Sequence, residues 1–494
     1  MARVIVAGAG ISGLTAAYAL RSAGHEVVVL DEGARAGGRM HSEHVAGFLM
    51  EHGPSGMALP APRAESLVTD LGLAPERIAR GAAARRRYLV RDGRVHEVPL
   101  QPHRFFRSSI LSPAGRLRVL LEPFVAAKWG DETIADFTRR RFGRELLDYV
   151  VDPLVAGIYA GDPHQLSVSA VFPHLKRLER LCGSVILAAV RSRLQPGAKP
   201  AACDFAKRAL FSFREGMGML PQAIARHLAS DLYLNQRVAA VERAAGGFAV
   251  TVRERGVTQL LKADGVVIAL PAYAAARILD RLDARVAGAL AEIGHPPLAV
   301  VFLGYRARAV AHPLNGAGVL TPAVEGRDVL GMLFSSTLFA GRAPPGHVAL
   351  TVFVGGARQP QLALLQPREL QDLAHDEVRR LLGARAAPVL ARTRCWRHGL
   401  PQPGLDHARR IAAITALESE HAGLFFTGNY FSGVSTMACI EQATDTAQRV
   451  QQYLASSRGH RRQAAAPFRN CEVPENGGRS AIAPLIAPAG YMQA

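Results

Sequence analysis

The stretch that most constrains this chain is Arg3–Arg39, RVIVAGAGISGLTAAYALRSAGHEVVVLDEGARAGGR. An apolar run, Val4 to Ala7, leads straight into Gly8-Ala-Gly10-Ile11-Ser12-Gly13, and a second, Val27 to Leu30, ends at Asp31. That order predicts a strand, a glycine turn, a helix and another strand. The glycines have separate uses. Gly8 permits a sharp turn, Gly10 lets the backbone come close to a pyrophosphate, and Gly13 lets the helix seat tightly on the sheet. Phosphates would then meet the N–H groups of the first helical turn, at Ile11 and Ser12, where the helix dipole favours negative charge. Asp31, followed by Glu32, stands where an acid accepts hydrogen bonds from ribose hydroxyls. A chance glycine turn supplies neither the flanking elements nor the acid, so a bound dinucleotide is expected.

The residues just after Asp31 select the dinucleotide. Gly37-Gly38-Arg39, in the run DEGARAGGRM, resembles the second glycine motif of flavin amine oxidases, whose backbone and arginine meet a flavin pyrophosphate. The resemblance implies FAD rather than a nicotinamide. It extends the cofactor residues to Gly53 and Pro54, in Met50-Glu-His-Gly-Pro54, which look like the return of this segment beneath the flavin.

With 494 residues and 49% hydrophobic side chains the chain can bury several cores, and two to four domains are expected. Lys+Arg 59 against Asp+Glu 41 leaves +18, which suits nucleic acid, an anionic membrane or an acidic small molecule, or reflects only a GC-rich genome. No zinc-finger, RNA-recognition or helix-turn-helix pattern supports nucleic acid. The cysteines, Cys182, Cys203, Cys395, Cys439 and Cys471, form no CxxC pair, so reduced thiols and no metal site are expected. No targeting segment is expected ahead of Val4, and no stretch of roughly 20 uncharged apolar residues occurs. Those features place the protein in the cytoplasm or on one leaflet of a membrane; they leave a homodimer open.

Along the chain, Ala64 to Leu71 reads as a helix, and Arg85-Arg86-Arg87-Tyr88-Leu-Val90 with Asp92-Gly93 reads as a hairpin opening on arginines. Such arginines suit a carboxylate or make a solvated face. Residues 104 to 214 mix Phe105, Phe106, Ile110, Leu111, Leu117, Leu120, Leu121, Phe124 and Trp129 with Arg104, Arg107, Arg116, Arg118 and Lys128. This is a helical insertion, either an interfacial one on anionic lipid or a core with a basic rim. Strands are expected from Leu232, through Val238–Val241 and Gly265–Pro271, and on across residues 295 to 400. A last helix opens at Gly433-Val434-Ser435 and runs to about Leu454, before a disordered tail, 457–494. The expected architecture is α/β, of the two-dinucleotide-binding flavoprotein type. A Rossmann-like FAD domain is built from 1–80, 215–272 and 421–456, a mixed-sheet substrate domain from 81–103 and 273–420, and the insertion from 104–214.

Beyond the glycine motifs, several strings resemble the oxygen-dependent protoporphyrinogen oxidase family: Gly157-Ile-Tyr-Ala-Gly-Asp-Pro163, Phe213-Arg-Glu-Gly-Met217, Leu330-Gly-Met-Leu-Phe-Ser-Ser336, Arg342-Ala-Pro344, Phe353-Val-Gly-Gly356, and Gly428-Asn429-Tyr430 with Gly433-Val434-Ser435. The resemblance implies an FAD enzyme that takes protoporphyrinogen IX to protoporphyrin IX in three hydride steps, with dioxygen reduced to hydrogen peroxide. It places a propionate-binding arginine at Arg87 and a pyrrole-facing backbone carbonyl at Gly157. It sets apolar faces at Leu320 and Leu333 on one side and Phe353 on the other, and an adenine contact at the backbone of Val238. The flavin does the redox chemistry, so no catalytic side chain is assigned. Two positions depart from the family, Ala317 and Pro403, where an aromatic residue is usual. The alternatives are coproporphyrinogen III oxidation, a secondary-metabolite or amine oxidase on the same frame, and a haem carrier without turnover. Asn429 stands where amine oxidases commonly carry an acid, which argues against the second.

Overall fold

A computed structural model describes residues 2–99, 101–194, 209–431 and 433–464. Met1–Leu454 form one unit; of the second, Ala455–Ala494, the described residues are helical.

The strand β1 (Arg3–Ala7), the helix α1 (Ile11–Ser22) and the strand β2 (Glu26–Leu30) form where the glycine pattern placed them. β1 lies in the middle of a five-stranded sheet, between β2 and Gly265–Ile268, with Leu232–Tyr233 and Leu424–Phe426 at the edges. All these pairs are parallel. The strands are apolar on both faces because one side packs on α1 and the last helix, the other on Ala272–Leu279 and on residues of Arg237–Glu254.

A second sheet of seven strands runs, in order, Leu390–Trp396, Leu298–Arg306, His347–Gly355, Gly331–Leu333, Gly318–Leu320, Tyr88–Arg91 and Arg94–Glu97. It is mixed: Gly318–Leu320 pairs in parallel with Tyr88–Arg91, and the other neighbours are antiparallel. Asp92 (φ 51°) and Gly93 (φ 71°) form the two-residue turn expected between the last two strands. One face is buried under Pro367–Leu382, a helix not anticipated within the run of strands, as was His407–Glu420.

Between these sheets in sequence lie short helices from Pro102–Phe105 to Val185–Leu194. Their centre is an ion network: Arg141 meets Glu122 at 2.6 Å and Glu179 at 3.1 Å, Lys176 meets Glu132 and Glu179 at 2.8 Å, and Arg140 joins both Glu132 and Glu179. Leu210–Phe213, at the end of the expected insertion, is instead a strand between Met57–Ala58 and Arg77–Ala79. The last helix runs past Leu454 to Ala464. Alanine, arginine and glutamine around Gly459 sustain it where a break was expected. The rest of the tail, and Cys203 and Cys471, lie outside the described residues.

Two strings that resembled the family meet here. Glu51 accepts from the backbone N–H of Met217 (2.8 Å) and from Ser42 (2.6 Å), and lies 3.8 Å from Arg342, which donates to Ser212 and to the carbonyls of Phe213 and Arg214. Burial pushes Glu51 up from 4.5 to about 7, against the pull of Ser42, Met217 and Arg342. A raised carboxylate binds its proton more tightly in the folded chain, so its contribution is full below the unfolded value and is lost as pH rises through about 7. Glu51→Gln should therefore gain on the unchanged protein by up to about 3 kcal/mol as pH rises from about 5 to about 8. Thermal unfolding across that range checks it; parallel curves would remove Glu51 as the titrating group.

Candidate active site

The cofactor cleft begins with three glycines that the structure separates by role. Gly8 has φ 110°, and a Cβ there would lie 2.8 Å from the carbonyl oxygen of Ala269. A Cβ at Gly13 would lie 1.8 Å from the carbonyl oxygen of Gly8, so only glycine lets α1 rest on the turn. At Gly10 a Cβ would meet no atom within 4 Å. Gly10 caps α1 without a side-chain bond, and the first turn, with Ile11 and Ser12, contains no acid. Open space thus faces an uncompensated positive helix end, which fits a pyrophosphate.

The second motif lies over the first. The N–H of Gly37 donates to the carbonyl of Ala9 at 2.8 Å, and a Cβ at Gly38 would sit 3.3 Å from the Gly10 Cα. Arg39 donates to the carbonyl of His398 at 2.7 Å, and burial holds its guanidinium below the ordinary range. Gly53, beside Pro54, lies under Arg39: a Cβ there would be 2.1 Å from the Arg39 carbonyl oxygen. Asp31 accepts from the N–H groups of Ala9 and Gly33, each at 2.7 Å, and keeps lone pairs for ribose hydroxyls. Glu32 stands at the rim, 72% exposed and 3.8 Å from Arg237. The N–H of Gln236 donates to the Asp31 carbonyl at 2.8 Å, which brings Val238 beside this acid. Val238 is on an edge strand with a register shift before Ala240, so outward backbone groups are left for an adenine. The Ser435 hydroxyl caps the last helix by accepting from the N–H of Ala438 at 3.1 Å. Gly433 and Val434 precede it, and Gly428 (φ 155°) packs on the Tyr430 ring.

His41, Glu43 and His52 also come together here, a grouping that their sequence separation hides. The rings of His41 and His52 stack at 4.8 Å and 15°, so their in-plane lone pairs run nearly parallel rather than converging on one ion. His52 bonds Glu43 at 2.8 Å, and burial, reinforced by Arg35, pushes His41 down to about 4.

The seven-stranded sheet carries the residues expected to line the substrate chamber. Its pleat puts Leu320, Leu333 and Phe353 on one face, since Val319, Met332, Val352 and Val354 occupy the other in the core. Leu320, Gly331 and Phe353 are successive cross-strand partners. The two sides expected of the apolar pocket are therefore not facing walls but two lips on one sheet face; Leu320 Cδ2 reaches over Gly331, 3.4 Å from where a Cβ there would lie, and Phe353 packs with Ala156 and Ala160. A Cβ at Gly157 would lie 2.6 Å from Leu320 Cδ2. Gly157 is in the last turn of the helix Asp152–Tyr159. The carbonyl of Tyr159 accepts from Gln402 and that of Ala160 from Ala357; that of Gly157 receives no hydrogen bond among the described residues. Arg87 leads into Tyr88–Arg91, level with Gly318 and Leu333. It is half-buried, meets no acid among the described residues, and is pushed down by burial and then by Arg80.

A pocket is lined by residues that include Tyr159, Val171, Pro403, His407, Asn429 and Tyr430. Burial raises Tyr159 and lowers His407, so both stay neutral.

Residues 11–451 match the flavin containing amine oxidoreductase family. The chain is 32% identical to protoporphyrinogen oxidase 2 of Arabidopsis thaliana, over 92% of this chain and 94% of that one. The chain belongs to this flavin oxidoreductase family, in its protoporphyrinogen oxidase branch. It is also 25% identical to coproporphyrinogen III oxidase of Bacillus subtilis, over 92% of this chain and 98% of that one. In fold it is similar to cyclohexylamine oxidase from Brevibacterium oxydans, with a TM-score of 0.67 at 19% identity, covering 92% of this chain and 99% of that one. FAD is the cofactor, and the open helix end at Gly10 would suit its pyrophosphate.

The glycines give the cleft a test. Gly10→Val should fold with its unfolding temperature in the flavin-free state unchanged, yet purify without flavin absorbance. Gly13→Ala should fail earlier, by losing soluble protein. Retained yellow colour in Gly10→Val would move the pyrophosphate elsewhere.

Proposed function

We propose that this protein oxidises protoporphyrinogen IX to protoporphyrin IX in haem biosynthesis, in three two-electron steps with dioxygen as acceptor. What carries the reading is Arg87, which meets no acid among the described residues, at the end of the strand that pairs with Gly318–Leu320, and the Gly157 carbonyl, unbonded among the described residues, in the helix packed on Leu320. When bound, FAD would supply the two-electron oxidation, with dioxygen as final acceptor and hydrogen peroxide as its product. The chain's own part is placement. The apolar lips hold the macrocycle faces and exclude water, and the guanidinium fork of Arg87 fixes a propionate. The Gly157 carbonyl, at the negative end of its helix, accepts from pyrrole N–H groups and so orients the ring. Arg85 and Arg86 are exposed, and Arg86 lies 4.0 Å from Glu97, so neither adds a chamber cation.

Anaerobic mixing with protoporphyrinogen or coproporphyrinogen, followed by flavin bleaching, tests the substrate; faster bleaching with the second would reverse the assignment. Arg87→Ala should raise KM about tenfold or more while leaving flavin content unchanged, the expected loss for a charge-assisted contact. An unaltered KM would take Arg87 out of the site.

The reading includes peripheral attachment to an anionic membrane. Among the described residues no helix is long and apolar enough to cross one. Leu117 (59%), Leu120 (57%), Phe124 (86%) and Trp129 (77%) are nonetheless exposed. Glu122 bonds Ser184 and the N–H groups of Val185 and Ile186, which brings exposed Leu181 and Leu187 alongside, with Arg177 and Arg180 exposed nearby. Apolar side chains among cations fit the headgroup region of anionic lipid. Phe124→Ser with Trp129→Ser should cut co-sedimentation with anionic vesicles at low salt by about tenfold, from the apolar burial lost. Equal sedimentation would leave this surface without lipid.

A further inference from the structure

Arg80 and Arg87 bracket one short loop. The strand Arg77–Ala79 ends at Arg80, the turn Ala82–Arg85 comes next, and Arg87 opens Tyr88–Arg91. Both ends of the loop are pinned. The N–H of Arg80 donates to the carbonyl of Leu210 at 2.9 Å, and that of Gly81 to the carbonyl of Leu338 at 3.0 Å. The N–H of Ala317 donates to the carbonyl of Arg86 at 2.8 Å, and that of Phe334 to the carbonyl of Ala317 at 3.0 Å. The loop is thus tied to the strands that carry Leu320 and Leu333.

Arg80, like Arg87, is half-buried, and neither forms an ion pair among the described residues. Neighbouring acids are already engaged: Glu76 lies 3.3 Å from Arg214, and Glu97 lies by Arg86. Other half-buried arginines around the chamber sheet are compensated, Arg91 by Glu145 at 3.0 Å, Arg327 by Glu377 at 3.1 Å and Arg358 by Asp152 at 2.9 Å. Two guanidiniums at the ends of one short loop that meet no acid among the described residues are costly to bury unless an anion joins them. Burial and, after it, the like charge of Arg80 hold the Arg87 guanidinium below its ordinary range.

We propose that Arg80 binds the second carboxylate of a dicarboxylate substrate whose first carboxylate is held by Arg87. The proposal rests on the chamber reading above and narrows its substrate class. A macrocycle with two propionates on neighbouring rings neutralises both cations. One with four carboxylates would leave two against the apolar lips.

The test is titration of the holoenzyme with protoporphyrin IX and, separately, with its dimethyl ester, monitored by porphyrin fluorescence. Arg80→Met keeps much of the stem and removes the charge. It should weaken the free diacid about tenfold or more, as should Arg87→Met, and leave the ester and the unfolding temperature unchanged. Arg80→Lys should restore part of the loss. If Arg80→Met binds the diacid as the unchanged protein does while Arg87→Met loses it, Arg80 is not a ligand and the chamber reading stands. If Arg80→Met weakens diacid and ester alike, its effect is on packing and the proposal falls. If both methionine variants are silent, the carboxylates lie elsewhere and the chamber reading falls too.

Discussion

The tightest constraint in the cofactor cleft is backbone against backbone: α1 rests on the turn at Gly8 with no room for a methyl group at Gly13. That contact aims the helix's unpaired N–H groups into the cleft, and the other cofactor elements are located from it. Gly37 hydrogen-bonds the turn, Asp31 clamps Ala9, and Gln236 hydrogen-bonds Asp31 in turn. These bonds, all but the Asp31 clamp between backbone groups, fix the residues expected at the pyrophosphate, ribose and adenine relative to one another. Side chains contribute little to this geometry, which is why small residues dominate the motif.

Charge is treated differently in different parts of the chain. In the helical region, Arg140, Arg141 and Lys176 are matched by Glu122, Glu132 and Glu179, all held by close hydrogen bonds. Such a network adds little net stability over apolar packing, but removing one partner strands a buried charge, so it fixes which short helices pack together. Balancing cations inside leaves the helices' apolar side chains partly outside. At Arg80 and Arg87 no acid among the described residues supplies that balance. The contrast makes the unmatched pair informative, because the other half-buried arginines around the chamber sheet each have an acid.

Legibility went with locality. The cofactor motif could be read because its glycines, strands and acid are contiguous and each type has one physical use. The chamber residues Leu320, Leu333 and Phe353 could be placed by resemblance, yet their common face depends on a register that three short strands and Gly331 define only in space. The strings Phe213–Met217 and Arg342–Pro344 read as family marks with no stated purpose; Glu51 gives them one, and its carboxylate lies far from both in the chain. Residues 104 to 129 left core and interface undecided because their helices are too short to show a face. The structure divides them, burying Ile110, Leu111 and Val119 and exposing Leu117, Leu120, Phe124 and Trp129. Arg80 escaped notice because a single arginine after a strand resembles any solvated residue until its lack of an acid is seen.

The same chamber explains why no acid–base side chain was found in the sequence. Tyr159 and His407 line one pocket, and burial favours the neutral form of each. A backbone carbonyl at a helix end can hold an N–H group without ever titrating, and an apolar face cannot compete for protons. On the proposed reading, reactivity depends on where the macrocycle lies relative to the flavin, and that placement falls to the apolar residues of the sheet face and the cations beside them. A site of this kind selects substrates by shape and by the spacing of carboxylates. Changes to its cations should therefore alter which porphyrinogen binds before they alter the hydride step.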